Sequence, residues 1–140
     1  MLENDYLMRM ILLFVRFLQQ ALGQRHKDPR EVSLELENQI ADSINIDAGL
    51  FFSLAPESMI SLLQLGDFDE RLAEYIVRAM ALDAEFLSQA GLTRSAGLRL
   101  SQLDALAKAF SVDITPGDLT SEAIETFVES ALQDLDDELN

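Results

Sequence analysis

Cysteine and tryptophan are absent from this 140-residue chain, histidine occurs once and proline three times. Without thiols there can be no disulfide, no thiolate nucleophile and no cysteine-held zinc or iron–sulfur centre. A lone histidine, His26, excludes multi-histidine metal sites. Bases are scarce, with 10 Lys and Arg against 25 Asp and Glu, for a net charge of −15. The concentrated cationic surface that nucleic acid requires is therefore missing. Long hydrophobic runs are missing as well. The longest, residues 10–15, is six residues, where a membrane span needs about 20. Glu3 and Asp5 precede it, whereas a secretory leader opens with positive charge. These absences predict a cytoplasmic protein that neither crosses a membrane nor binds nucleic acid.

What is present is a core-forming composition. At 49% hydrophobic the chain is too apolar for a disordered acidic tail and long enough to bury one core unaided. Alternating strand patterns are short and β-branched residues sparse, so the chain reads as all-α, an array or bundle of about six antiparallel helices. Residues 1–22 form the first, with an apolar arc wider than a one-sided surface helix needs. It is either packed on two sides or packed on one side with a partner on the other. A second helix covers about 30–46, with Val32, Leu36, Ile40 and Ile44 spaced by four. Leu50, Phe51 and Phe52 form a short apolar piece. Further helices start near Pro56, end at Gly66, resume after Asp69, end at Gly91, and carry Leu100 to Phe110. A last one follows Thr115, Pro116 and Gly117.

Charge is graded along the chain. Residues 1–30 hold five bases and three acids, whereas residues 109–140 hold nine acids and no base. Four of those acids fall in 134–138, at a helix C-terminus, where the macrodipole disfavours negative charge. Fraying is expected there, so the domain is drawn as 1–133 with an acidic tail over 134–140.

Two segments carry a resemblance. Leu62, Leu63, Gln64, Leu65, Gly66, Asp67, Phe68 and Asp69, followed by Leu72, Tyr75, Ala79 and Leu82, resemble the middle of a tetratricopeptide repeat. There a glycine closes the turn and small residues let two helices approach. Leu72 stands where that motif usually has alanine, and Ala84 where it usually has proline. A generic helical hairpin is the alternative. The opening, Glu3, Asn4, Asp5, Tyr6, Leu7, Met8, Arg9, Met10 and Ile11, is similar to that of an uncharacterised bacterial family of unknown function. That family's signature is acid-x-Asp-Tyr-aliphatic-x-Arg-x-Ile. The resemblance implies helical hairpins and no particular activity.

The residues offer no catalytic, cofactor-binding or metal-ligating set. His26 sits among Arg25 and Lys27 without a partner that would make it a base. The acids at 134–138 lack the glycine and ligand alternation of a calcium loop, and no phosphate loop or nucleophile elbow occurs. The basic turn of Arg25, His26, Lys27 and Arg30 is suited to an acidic face, the chain's own C-terminal tail included. Candidate interaction residues are Asp5 and Arg9, an i,i+4 pair near a helix start, and Phe51 and Phe52, which are either core or anchors for a partner. The function read from this inventory is a non-enzymatic interaction module, binding a protein or a second copy of itself as a homodimer. A ligand-binding bundle or a carboxylate enzyme with its site between helices is the alternative.

Overall fold

The computed structural model describes residues 2–139, and the side chains of 5–138. Among these residues the chain forms seven α-helices, two short 3-10 turns and no strand. The helices are α1 (Leu2–Leu22), α2 (Pro29–Ser43), α3 (Ala48–Ser53), α4 (Pro56–Leu65), α5 (Ala73–Gln89), α6 (Thr93–Ala109) and α7 (Ser121–Leu139). None is long and apolar enough to cross a membrane.

Local chemistry sets most boundaries. Asp28 accepts from the Arg30 amide at 3.1 Å and Pro29 occupies the first turn of α2, where a missing N–H costs nothing. Asp47 caps α3 through the Leu50 amide at 3.0 Å. Thr115 and Asp118 close a reciprocal capping box before the last helix. Helices α2, α5 and α6 all end in a left-handed residue, Asn45, Gly91 and Ser111 respectively. In each case the next residue's amide reaches back to a carbonyl of the last turn: Ile46 to Ala41, Leu92 to Leu87, Val112 to Ala107. The left-handed Asn45 is why α2 stops at Ser43, three residues before the end its apolar spacing predicts.

Helix α5 is the one at the centre. Eleven of its residues are buried, including Ala73, Ala79, Ala81 and Ala84, whose small side chains let neighbours pack on several sides. Its main partner is α6, with α2 on another side, while α4 leans on α6 and α7 lies along α1. The helices flanking Gly66 therefore do not close into the hairpin the repeat resemblance implies: α4 packs on α6 instead of on α5. Helix α1 is peripheral. It buries Leu7, Phe14, Val15, Leu18 and Ala21 against α7, α2 and α5. The C-terminal acids do not end α7 at 133. The helix continues to Leu139, and Leu135 is buried within the core.

Candidate functional site

The predicted interaction residues separate into two groups. Phe51 and Phe52 belong to the core, not to a surface: they are 0% and 5% exposed, edge to face at 5.0 Å between ring centroids. The reason is α3, whose single turn and a half packs against α2, with Arg99 of α6 over the Phe52 ring, burying area that no partner then needs to cover. Asp5 and Arg9 are exposed on α1. Among the described residues no ion pair joins them or engages Arg9 with any other group.

Sequence reasoning passed over a polar cluster in the core. Arg99 of α6 donates from Nε to Asp83 of α5 at 2.9 Å and from Nη2 to Glu37 of α2 at 2.8 Å. Its third nitrogen donates to the Gln102 side chain and, at 3.2 Å, to the Phe52 carbonyl. Gln102 returns hydrogen bonds to the carbonyls of Phe52 and Leu54. Ser33 donates to Asp83, and the guanidinium carbon sits 4.4 Å over the Phe52 ring. Four helices are tied together by one arginine. Burial, together with the Glu37 carboxylate alongside, pushes the Asp83 carboxyl up to about 8 from its ordinary 3.8.

A signal for this cluster exists in the sequence. Asp83 is in phase with Ile76, Met80 and Leu87 on α5, and Arg99 with Ala96, Leu103 and Leu106 on α6, so each charge interrupts an apolar stripe. A buried carboxylate pair is also what the enzyme alternative requires. Every buried side-chain polar atom of the described residues has a partner, and neither Asp83 nor Glu37 lines any of the three clefts characterised in the fold. Each of the three guanidinium nitrogens of Arg99 is engaged within the cluster. The cluster is an internal tie.

The surface is more suggestive along α1. Tyr6, Met10, Leu13 and Phe17, spaced by four, three and four, form one stripe. Tyr6 and Leu13 are each 66% exposed, and Met10 and Phe17 are half-buried. On one shoulder of α1, Met8 and Ile11 meet Phe127, Ala131 and Leu135 of α7. On the other, α2 runs antiparallel to α1, with Phe17 and Gln20 beside Glu35 and Gln39, and Tyr6 and Met10 beside residues 43–46. A cleft of about 680 Å³ opens where Tyr6, Leu7 and Met10 face the turn after α2 and the end of α4. Leu65, 85% exposed, stands on its rim.

Helices α1 and α7 pack together through apolar side chains. The C-terminal half of α7 lies beside Met8 and Ile11, at the opposite end of α1 from the basic turn. Arg25, His26, Lys27 and Arg30 are exposed, and the acidic tail is not their partner. Among the described residues no group of three or more acids or histidines is placed to hold a metal ion. Comparison with protein-family models, curated proteins and solved structures finds no match for the chain.

Proposed function

We propose that the chain is a cytoplasmic, non-enzymatic helical interaction module whose working surface is the outer stripe of α1 with the adjoining cleft. One observation carries the reading. Among the large apolar side chains of the described residues, Leu65, Tyr6 and Leu13 are the three most exposed, and all three lie on α1 or on the cleft it borders. Apolar side chains scattered singly on a surface need no explanation, whereas a contiguous patch marks a site of contact.

The test is comparative capture. The chain immobilised in a lysate of its host should retain a defined protein, or added chain of its own kind, and Leu13→Glu should release it. Identical retention by both forms would sink the reading. At 66% exposure the substitution leaves the core untouched, so stability should move by no more than about 0.5 kcal/mol.

A second reading rests on the cleft alone. Its volume falls in the range of small-molecule sites. Leu62, Leu63, Phe68 and Leu72 supply an apolar lining, with Ser43 and Asn45 as polar contacts. An apolar ligand would be the occupant. Native mass spectrometry of the purified chain tests it, by looking for a co-purifying adduct above the 15.6 kDa mass.

A further inference from the structure

The α1 stripe has a property that selects among occupants: charge is segregated across it. We propose that a second copy of this chain covers the stripe, the two α1 helices lying parallel and in register about a twofold axis that runs along it. The proposal rests on the interaction reading above and narrows it to one partner and one geometry.

The apolar spacing is that of a coiled-coil seam, where positions alternate three and four apart so that one side of a helix stays against its partner. On one edge of this seam stand Arg9 and Arg16, both exposed and without an ion pair among the described residues. On the other edge runs α2, presenting Glu35 and, seven residues on, Asp42, both exposed. Because α2 is antiparallel to α1, Glu35 lies near the Phe17 end and Asp42 near the Met10 end. Arg16 and Glu35 therefore share one level of the seam, and Arg9 and Asp42 the other.

A twofold axis along the seam exchanges the two edges. Arg16 then faces the second copy's Glu35, and Arg9 its Asp42. An axis across the seam returns each edge to its own kind, arginine over arginine and glutamate over glutamate, which is repulsive. The isologous arrangement that matches charge is the parallel one.

The molecule as a whole favours the same face. Two copies of a chain with net charge −15 repel over most of their surfaces. Residues 6–27 contain no acid, although the chain has 25. This is the side on which like molecules approach at the lowest electrostatic cost.

The chain has no cysteine, which makes the geometry directly readable. Sedimentation velocity of the full chain from about 1 to 200 μM at physiological salt should show a species of twice the monomer mass, in the ordinary range of weak dimers. Leu13→Glu should abolish it with an unchanged circular dichroism spectrum. Arg16→Glu and Glu35→Arg should each raise the dimer Kd about tenfold or more, and their combination in one chain should restore it. Under mild oxidation, Leu13→Cys should cross-link to itself in a parallel seam. A wild-type monomer throughout that range overturns the proposal, as does a dimer indifferent to Leu13→Glu or a charge reversal that fails to rescue. So does cross-linking that needs Met10→Cys mixed with Leu13→Cys, the mark of an antiparallel pair. A monomeric chain whose capture of another protein still depends on Leu13 would sink self-pairing and leave the interaction reading standing.

Discussion

Arg99 and Asp83, sixteen residues apart on neighbouring helices, form an ion pair of 2.9 Å with side chains 5% and 0% exposed. A charge pair at that depth is weak evidence for stability, because desolvating both ions offsets most of their attraction. Its removal is another matter. Arg99 also supplies Glu37, Gln102 and the Phe52 carbonyl, so truncating it strands the neighbouring Asp83 and Glu37 carboxyl groups and two further acceptors together.

Arg99→Met should therefore cost about 3–5 kcal/mol, or more than about 10 °C in Tm for a chain of this size. Arg99→Lys should recover little, since one ammonium cannot span acceptors on α2, α3, α5 and α6 with a planar fork's geometry. Thermal and urea unfolding of the three forms decide it. A Lys variant as stable as the parent would mean that the charge alone matters.

The same cluster makes stability depend on pH. Asp83 is ordinarily half-protonated at 3.8 and in the fold at about 8, so the folded state binds a proton that the unfolded state has released. That contribution is complete below about pH 4, declines between about 4 and 8, and is gone above. Urea midpoints should fall as pH rises from 5 to 8.5. Asp83→Asn keeps a neutral hydrogen-bonding side chain in place and should flatten the slope. Equal slopes in the two proteins would remove Asp83 as its source.

The contrast between Phe52 and Arg99 says what was legible in the chain. Helix type, the turns at Gly66 and Gly91 and the wide apolar arc of α1 follow from residue spacing, because they are local. Which apolar residues face solvent is decided by neighbours far away in sequence. Phe52 reads as core or as anchor until Arg99 of α6 is placed above its ring, and the wide arc of α1 does not say which side lacks a neighbour until α7 and α2 are placed. Arg99 and Asp83 carry a readable signal, a charge in phase with an apolar stripe, but only their juxtaposition across two helices turns two anomalies into one tie. The apolar arc of α1 is wide enough for packing on two sides, and α7 and α2 supply those two sides, but the width of an arc does not tell which helix is central. The close approach that alanines permit favours α5.

Two left-handed helix ends offer a paired test. Gly91 has φ of +80° with open space where a Cβ would sit, and Ser111 holds φ of 56° with a side chain. Left-handed strain for an L-residue is about 1–2 kcal/mol, while an added glycine costs about 0.4–1 kcal/mol through the unfolded chain. Gly91→Ala should destabilise by about 0.5–1 kcal/mol and Ser111→Gly should stabilise by a similar amount, both visible in urea midpoints at constant slope. Opposite signs at equivalent caps are the expected result. If Ser111→Gly proved destabilising, its backbone could not be carrying strain.

Helix α7 persists to Leu139 against its own electrostatics. No base lies in its last turn, Asp134, Asp136, Asp137 and Glu138 crowd the negative end of the dipole, and Glu74 faces Asp134 and Glu138 across the cleft beside Met8. The apolar anchors Ile124, Val128, Ala131 and Leu135, all buried, must outweigh that repulsion. Neutralising the four terminal acids to their amides should then stabilise the chain, by about 1 kcal/mol in total after solvent screening. Hydrogen exchange should slow over residues 132–139 and remain unchanged in α5. Raising salt should reproduce the effect in the parent and leave the neutralised variant where it is. If exchange over 132–139 is equally slow in both at low salt, the acids exert no strain on the helix, and apolar packing through Leu135 alone sets where α7 ends.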